Sequence, residues 1–479
     1  MDKRSFQLMA LTPAGVADAR LVLAADRAGC LGILNAEIGG IPYPVLESLG
    51  GRTRAPYGLK LATLDDATLA KLKTYVPAGL GWLVIDAPLV FNQPGLLQGS
   101  TGFRVIVEAT EWDDRLVGLS GHEALLIKGH EAGGLVGEET SFILLQKALE
   151  RQSAPVLVRG GMGLHGTAAV RVAGAAGVML DDQLLLLKES SVAEALQSPL
   201  RDFTGLETSL ISAGDMHWRV FDKPGFAHLR QLRRTLSGAP SAERTERLIR
   251  ALGWHDPSNQ VLPLGQAAAF AKPFAERFST FGRLAQGLLA ESERRLALAV
   301  ALDPLGPERG VAASHGTKFP IVQGPMTRVS DVAAFAQGVA DAGALPLLAL
   351  ALMQPAAVEA LLSETAVRLG GKPWGIGLLG FAPAELIAAQ VEVALRYKPR
   401  FALIAGGRPE QARKLEESGI TSYLHVPSPR LLSMFLERGA RRFVLEGREC
   451  GGHVGPLSSL VLWDLSLIHI SEPTRQAEI

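Results

Sequence analysis

The chain has 479 residues, a length typical of a protein with more than one domain. Its composition, 47% apolar and 20% charged, is typical of a folded protein. Lys plus Arg and Asp plus Glu number 48 each, so the formal net charge is zero and we expect no general attraction to nucleic acid or anionic membranes. Two cysteines without metal-ligand spacing, and no apolar run of about 18 residues, predict a cytoplasmic protein without a disulfide framework, metal site or membrane span.

Eight short apolar runs alternate with longer helix-compatible stretches between Phe6 and Leu187. Runs that are apolar on both faces and separated by helical patterns are typical of a parallel sheet covered by helices. Eight of them in about 200 residues predict a (β/α)8 barrel. An open doubly wound sheet shares the local pattern, but the barrel also accounts for the glycine-rich turns after several strand ends. The predicted strands are 6–11, 31–34, 57–62, 82–86, 103–109, 124–128, 155–161 and 177–180.

The strand pattern lapses between Ser198 and Leu302, where apolar residues recur at helical spacing with Arg, Glu and Lys between them. This segment is predicted to be a helical insert or linker. Six more apolar runs follow, and they predict a second barrel of the same kind that is truncated at its carboxyl end before a seventh and an eighth strand. These runs are 319–323, 345–352, 373–379, 401–406, 422–426 and 442–447.

The last residues of the chain are interpreted as foreign to the protein. LSLIHISEPTR, at 465–475, looks like the translation of a sequencing adapter, so residues 465–479 are interpreted as an artefactual tail. The chain is then interpreted as the amino-terminal fragment of a larger polypeptide. The predicted domains are a first barrel at 1–200, a helical insert at 201–305, an incomplete second barrel at 306–464 and the tail at 465–479.

A glycine-rich motif occurs twice, each time directly after a predicted strand. KGHEAGGLVG at 128–137 matches GRECGGHVG at 447–455, with Glu131 under Glu449 and the glycines in register. Dense glycines let the backbone lie flat against a planar ligand, and an imidazole titrates near neutral pH. Leu135 stands where the second copy has His453. We therefore predict a shared scaffold with chemistry in the second copy only.

Together with FPIVQGPMTRVSDVAAFAQGVADAGALP at 319–346, this motif resembles the FMN-dependent nitronate monooxygenase family and its relatives among flavin-dependent enoyl-acyl-carrier-protein reductases. The resemblance covers most of 319–463 and is weaker over 6–190. It implies an FMN-dependent oxidoreductase that oxidises nitronates with O2, or one that uses NAD(P)H to reduce an enoyl thioester. Tandem barrels also resemble the amino-terminal part of large polyketide or fatty-acid synthases. That resemblance implies an acyl carrier protein or other synthase domains as partners, and leaves a non-catalytic scaffold region as the rival interpretation.

The resemblance also assigns residues. It implies that His453 takes a proton from an acidic C–H group or stabilises the developing anion. Glu449 is interpreted as a scaffold residue that accepts hydrogen bonds from loop amides, since Glu131 persists in the copy that lost the imidazole. The predicted cofactor-binding residues of the second half are Gln323, Gly324, Pro325, Met326, His425, Glu449, Gly451 and Gly452.

In the first half, Gly160, Gly161 and Gly163 follow the seventh strand and precede a helix, so their amides are predicted to cradle a phosphate. Asp181 and Asp182 after the eighth strand oppose this, because two carboxylates repel a dianion. Ala10 to Pro13 also replace the residues that align with Gln323 to Met326. The first half is therefore interpreted as a pseudo-enzyme, and the purified chain is predicted to carry little or no flavin.

Overall fold

The computed structural model describes residues 6–97, 102–152, 154–192, 194–223, 227–256, 259–452 and 454–471. They form two compact units, residues 1–296 and residues 297–479, which are described separately below. The predicted domain boundaries at 200, 305 and 464 stay predictions.

Unit 1 (residues 1–296) is built around a closed barrel of eight parallel strands. Its strands in chain order are β1 (Gln7–Leu11), β2 (Leu31–Asn35), β3 (Tyr57–Leu61), β4 (Leu80–Asp86), β5 (Arg104–Ala109), β6 (Ala124–Lys128), β7 (Gly134–Val136), β8 (Val156–Arg159), β9 (Gly177–Leu180), β10 (Thr208–Ala213) and β11 (Met216–Phe221). The barrel order is β1-β2-β3-β4-β5-β6-β8-β9, and β1 also pairs with β9 to close it. The predicted (β/α)8 barrel is therefore confirmed.

The helices of unit 1 cover the barrel or follow it in the chain. They are α1 (Ala19–Arg27), α2 (Tyr43–Leu49), α3 (Asp66–Lys73), α4 (Ala87–Asn92), α5 (Ser141–Arg151), α6 (Leu164–Ala173), α7 (Glu194–Arg201), α8 (Ala227–Ser237), α9 (Ser241–Ala251), α10 (Ala271–Phe278) and α11 (Phe281–Leu302). Short 3-10 turns lie at Val76–Ala78, Pro94–Leu97, Asp114–Leu116, Asp182–Leu184 and Gln266–Phe270.

The barrel interior is apolar in its lower layers. Along each strand, alternate side chains point into the barrel and the others point outward toward the helices, so both faces of the strand are buried. Each fully buried aliphatic side chain contributes about 1.5–3 kcal/mol through loss of water contact. The inward cluster consists of Met9, Leu11, Ile33, Trp82, Val84, Ile106, Ala124, Leu126, Leu157 and Met179.

The segment after the first barrel contains the predicted helices α8 to α11 and also a β-hairpin that the sequence analysis did not anticipate. Strands β10 and β11 pair antiparallel, the turn between them places Gly214 at φ +66°, and β11 pairs with β7. The apolar residues Ile211, Trp218 and Val220 pack in one core cluster with α8 and α9. Their short alternating pattern lies between helical stretches, which is why the periodicity over the whole segment favoured helices.

Unit 2 (residues 297–479) contains a curled six-stranded parallel sheet. Its strands, in sheet order and chain order alike, are β12 (Val322–Gln323), β13 (Leu345–Ala349), β14 (Gly375–Leu379), β15 (Phe401–Ala405), β16 (Thr421–Val426) and β17 (Phe443–Leu445). The six predicted strands are confirmed. Strand β12 pairs with β13 over two residue pairs; Val322 within it is 41% exposed, and Ile321 directly before it is 57% exposed.

The helices of unit 2 follow its strands. They are α12 (Gly310–His315), α13 (Ala333–Asp341), α14 (Pro355–Leu369), α15 (Ala384–Tyr397), α16 (Pro409–Glu416), α17 (Pro429–Glu437) and α18 (Ser459–Ser471). Residues 465–471, the first part of the predicted tail, form the end of α18. Within the described ranges, none of the helices combines the length and apolar character needed to cross a membrane.

Candidate functional site

The duplicated glycine motif builds the same clamp in both units. The Glu449 carboxylate accepts hydrogen bonds from the backbone N–H of Ser459 at 2.8 Å and from its hydroxyl at 2.6 Å. Glu131 accepts from the backbone N–H of Ser141 at 3.3 Å and from its hydroxyl. In both copies the serine lies ten residues after the acid and begins a helix. An acid at this place satisfies a free helix N–H and complements the helix dipole.

The first and last glycines of each motif allow close backbone contacts. A Cβ on Gly447 would lie 2.5 Å from the nitrogen of Ser459, and one on Gly129 would clash with the nitrogen of Ser141. A Cβ on Gly455 would clash with the Pro427 carbonyl, as one on Gly137 would with that of Thr110. These four glycines are therefore structural residues that let the loop lie against its neighbours.

The middle glycines differ between the units. A Cβ on Gly133 would lie 2.8 Å from the backbone nitrogen of Gly265 and 2.9 Å from Oδ2 of Asp182, so this surface is covered. The matching Gly451 is exposed, and a Cβ on it would meet no atom of the described residues within 4 Å. The same holds for Gly452. The flat backbone is thus accessible in unit 2 and covered in unit 1.

The mouth of the first barrel contains a buried ionic cluster, which we define as Glu37, Lys60, Asp86, Glu108, Lys128, Arg159, Asp181 and Asp182. The Lys60 ammonium lies 2.5 Å from Glu108, 3.0 Å from Asp86 and 3.2 Å from Glu37. Arg159 lies 3.0 Å from Glu108 and 2.8 Å from Asp181. Most of these residues end barrel strands, so the cluster occupies the carboxyl-terminal face where such barrels place their sites.

The pKa values in the cluster follow from burial and neighbouring charges. Burial alone would raise the pKa of Glu108, but Lys60 and Arg159 lower it overall. Burial opposes the charge of Lys60 too, yet its carboxylate neighbours raise its pKa. Burial and the adjacent Arg159 lower the pKa of Lys128, whose ammonium lies 3.8 Å from Glu108. The cluster therefore balances most of its charge internally.

The predicted phosphate loop lies within this covered region. Gly160 and Gly161 have φ values of +105° and +71°, backbone conformations that favour glycine, and both are buried together with Gly163. A Cβ on Gly160 would lie 3.2 Å from that of Ala132. The Gln183 side-chain amide donates to the Met162 carbonyl at 2.9 Å. The loop is therefore packed against the chain's own side chains.

Asp182 makes the stability of unit 1 depend on pH. Burial, and then the charge of Asp181, raise the pKa of Asp182 to about 8. The folded state thus holds a proton that the unfolded state releases near pH 4, so stability is full below pH 4 and falls as pH rises toward 8. Asp182→Asn is expected to flatten this dependence and to stabilise the protein more at pH 8 than at pH 5, measured by urea unfolding.

The exposed Asp202→Asn serves as the matched control for that prediction. Asn at 182 retains an oxygen that accepts the hydrogen bond Asp182 now receives from the Gly265 N–H at 2.7 Å. An unchanged difference in unfolding free energy between pH 5 and pH 8 in the Asp182→Asn protein would contradict the assignment.

In unit 2, the predicted flavin-lining loop lies at the carboxyl end of β12. Gln323 accepts a hydrogen bond from the backbone N–H of Leu347 at 3.2 Å, and Pro325 packs against Gly377 of β14. Gly324 would meet no atom within 4 Å if it carried a Cβ, and Met326 is 46% exposed. This loop therefore presents an open surface at the carboxyl end of the first strand of the sheet, whereas the glycine motif follows the carboxyl end of the last strand, β17.

His425 lies at the carboxyl end of β16, where it is 4% exposed and its Nε2 lies 3.2 Å from Oε2 of Glu446. Residue registers place it where unit 1 has Glu108: His425 pairs with Val444 as Glu108 pairs with Leu126. Glu446 matches Lys128, since both directly precede the first glycine. At this position the acid comes first in the chain and the base second in unit 1 (Glu108 and Lys128), whereas the base comes first in unit 2 (His425 and Glu446).

His453 lies outside the described residues, so its predicted position is not tested. Neither Glu446 nor most of the ionic cluster was predicted from the sequence. A usable signal existed: Lys60, Glu108 and Arg159 interrupt otherwise apolar strands, and a charge inside such a strand indicates a paired group in the barrel. Its partners could not be read from local pattern.

Residues 99–273 match the family model described as nitronate monooxygenase. FabK from Thermotoga maritima has a similar structure, with a TM-score of 0.51 and 22% identity, over 61% of this chain and 94% of that one. At this identity the likeness shows the fold alone.

Two curated relatives share the printed description (3aS,4S,5R,7aS)-5-hydroxy-7a-methyl-1-oxo-octahydro-1H-indene-4-carboxyl-CoA dehydrogenase. The protein from Rhodococcus jostii (strain RHA1) is 28% identical over 189 residues, 38% of this chain and 52% of that protein. The one from Mycobacterium tuberculosis (strain ATCC 25618 / H37Rv) is 28% identical over 190 residues, 38% of this chain and 53% of that protein. The chain thus spans about half the length of these relatives.

The predicted resemblance to this family is confirmed. The matched residues 99–273 lie in unit 1, whereas the motifs noted in the sequence are denser in unit 2. The family model therefore matches the unit whose candidate site is covered.

Proposed function

We propose, from the resemblance of this chain to nitronate monooxygenases, that it is an FMN-dependent oxidoreductase whose redox site lies in unit 2. The reaction is the oxidation of nitronates with O2. The sheet that holds the proposed site has six strands within the described residues.

One observation carries this proposal: the same backbone surface is open in unit 2 and covered in unit 1. A Cβ on Gly451 or on Gly452 would meet no atom of the described residues within 4 Å, whereas one on Gly133 would meet Gly265 and Asp182. An open, flat glycine backbone suits a planar ring that must approach closely. The partly exposed Gln323 to Met326 loop supplies a second wall, at the carboxyl end of β12 on the other side of the sheet. The residues of unit 2 therefore fit FMN better than those of unit 1.

The residues have distinct roles in this proposal. FMN, when bound, supplies two-electron redox chemistry. Gln323 to Met326 and Gly451 to Gly452 hold it, while Glu449 fixes the loop through Ser459. Glu446 favours a proton on Nε2 of His425, the ring nitrogen that faces it. By resemblance, His453 stabilises the nitronate anion, or takes the proton when the substrate enters as the neutral carbon acid, work suited to a group that titrates near neutral pH.

Hydrogen–deuterium exchange of the full chain in excess FMN tests the proposed site. We expect slower exchange in peptides that contain 323–326 and 446–455, and a smaller effect in the Gly451→Ala chain, since a methyl group there intrudes on the open surface. Because the described sheet of unit 2 has six strands and is not a closed barrel, we expect weak binding and little flavin in the purified chain. Stoichiometric FMN in the purified chain would contradict the expected weak binding, and unchanged exchange in both peptides would contradict the proposed site.

The alternative activity is NAD(P)H-dependent reduction of an enoyl thioester at the same proposed site, because His425 and its partner can orient a carbonyl as well as a carbon acid. The protein with excess FMN should be assayed with a nitronate under O2 and with an enoyl thioester plus NAD(P)H. Turnover of the first substrate alone supports the leading proposal; turnover of the second alone replaces it. The synthase interpretation, with a carrier-protein partner, predicts that the thioester is accepted better when carried on that protein.

A scaffold without redox chemistry is the rival from another class, and it predicts turnover of neither substrate.

Both cysteines, Cys30 and Cys450, are free thiols. That state suits a reducing compartment, so the proposed location is the cytoplasm.

A further inference from the structure

We infer that unit 1 has exchanged its ligand site for a closed structural mouth, so that this unit, although it matches the family model, takes no FMN. The closure has two parts. One is a strap, defined as Pro263 to Gln266, together with the sheet of β7, β10 and β11. The other is the buried ionic cluster. The inference concerns unit 1 only and stands whether or not unit 2 binds FMN.

The strap is hydrogen-bonded directly to the glycine motif and to the end of the barrel. The Gly265 N–H donates to Oδ2 of Asp182 at 2.7 Å, and the Gln266 N–H donates to the Glu131 carbonyl at 2.8 Å. Arg219 of β11 donates from Nε to the His130 carbonyl at 2.8 Å. Strand β11 continues this attachment by pairing with β7 through Trp218 and Leu135. The strap and sheet are therefore tied down at several points across the motif.

Contact between the strap and the motif is too close for a ligand to enter between them. A Cβ on Gly265 would lie 2.5 Å from the nitrogen of Gly133, 2.6 Å from the carbonyl carbon of Ala132 and 2.7 Å from the oxygen of Glu131. All three are backbone atoms, which cannot rotate aside as a side chain does. Glycine at both 133 and 265 thus allows two backbone segments to pack face to face.

Charge completes the closure. Every cation of the cluster lies within 4 Å of a carboxylate of the cluster, and Asp181 and Asp182 follow the strand that ends beside the phosphate loop. The cavity that remains among Thr12, Glu37, Arg159 and Trp218 has a volume of about 10 Å³, the space of about one water molecule. A flavin needs far more room, and its phosphate would meet the carboxylate of Asp181. The residues of this unit do not fit FMN.

Hydrogen–deuterium exchange tests ligand exclusion in the full chain, with FMN in excess as the probe. Peptides that contain 129–137, 159–163, 181–183 and 263–266 are expected to exchange at the same rate with and without FMN. Slower exchange in these peptides on addition of FMN would overturn the inference. Failure of the proposed function is visible separately, since it concerns 323–326 and 446–455 in the same experiment.

Gly265→Ala tests whether the strap is seated. Its backbone, with φ −97° and ψ 174°, is open to alanine, so only the lost contact with the motif matters. The first unfolding midpoint is expected to fall by about 5 °C, with faster exchange at 129–137. Gly282→Ala in α11 is the control, because a Cβ there meets no atom within 4 Å and its midpoint should not fall. An unchanged midpoint in Gly265→Ala would show that the strap does not pack against the glycine motif, and it would overturn the inference.

Discussion

Lys60→Met is expected to lower the free energy of unfolding of unit 1 by about 3–5 kcal/mol, because it removes one partner of a buried ionic group. Lys60 is 0% exposed and its ammonium contacts three carboxylates, those of Glu37, Asp86 and Glu108. Methionine has a similar length but leaves these acids without their shared cation. Urea unfolding of the full chain, followed by tryptophan fluorescence and circular dichroism, measures the loss in the transition of unit 1.

Lys147→Met is the matched control, since Lys147 lies in the same unit and pairs with Glu139 while 43% exposed. A solvent-exposed pair contributes about 0–1 kcal/mol, so the control should unfold almost like the unchanged chain. Equal losses for the two variants would show that Lys60 is solvated and that the cluster does not hold the barrel mouth together.

Gly447→Ala is expected to cost about 2–3 kcal/mol in unit 2, and Gly129→Ala a similar amount in unit 1, because each new methyl group overlaps the start of the next helix. The nitrogen and Cα of Ser459 both lie 2.5 Å from the Cβ position of Gly447. To relieve the overlap, the loop must move away from the serine and weaken the clamp made by Glu449. Thermal unfolding by circular dichroism measures the loss in each unit.

Gly451→Ala is the control within the same motif, because its Cβ position is open. It should change stability by less than about 0.5 kcal/mol. A loss in Gly451→Ala as large as that in Gly447→Ala would indicate that the motif needs glycine for backbone conformation throughout, and the clamp would then not explain its spacing.

The strands of the closed barrel and of the six-stranded sheet, and their order, were predictable from the sequence, whereas the hairpin of β10 and β11 was not. Runs such as 103–109 and 401–406 became β5 and β15 because strands buried on both faces are apolar at most positions. The spacing of the duplicated motif was informative for the same reason, as Glu131 and Glu449 each contact a serine ten residues ahead. Both signals are local: they depend on neighbours within one strand or loop.

The state of each candidate site was decided only by tertiary structure. The two motifs share six of nine residues from Gly129 and Gly447 onward, yet one lies under the strap at 263–266 and the other is open. Lys60 and Glu108 are 48 residues apart in the chain and 2.5 Å apart in the barrel. Pairing of buried charges and coverage of a glycine surface depend on which distant residues the fold brings together, and local periodicity carries no information about those contacts.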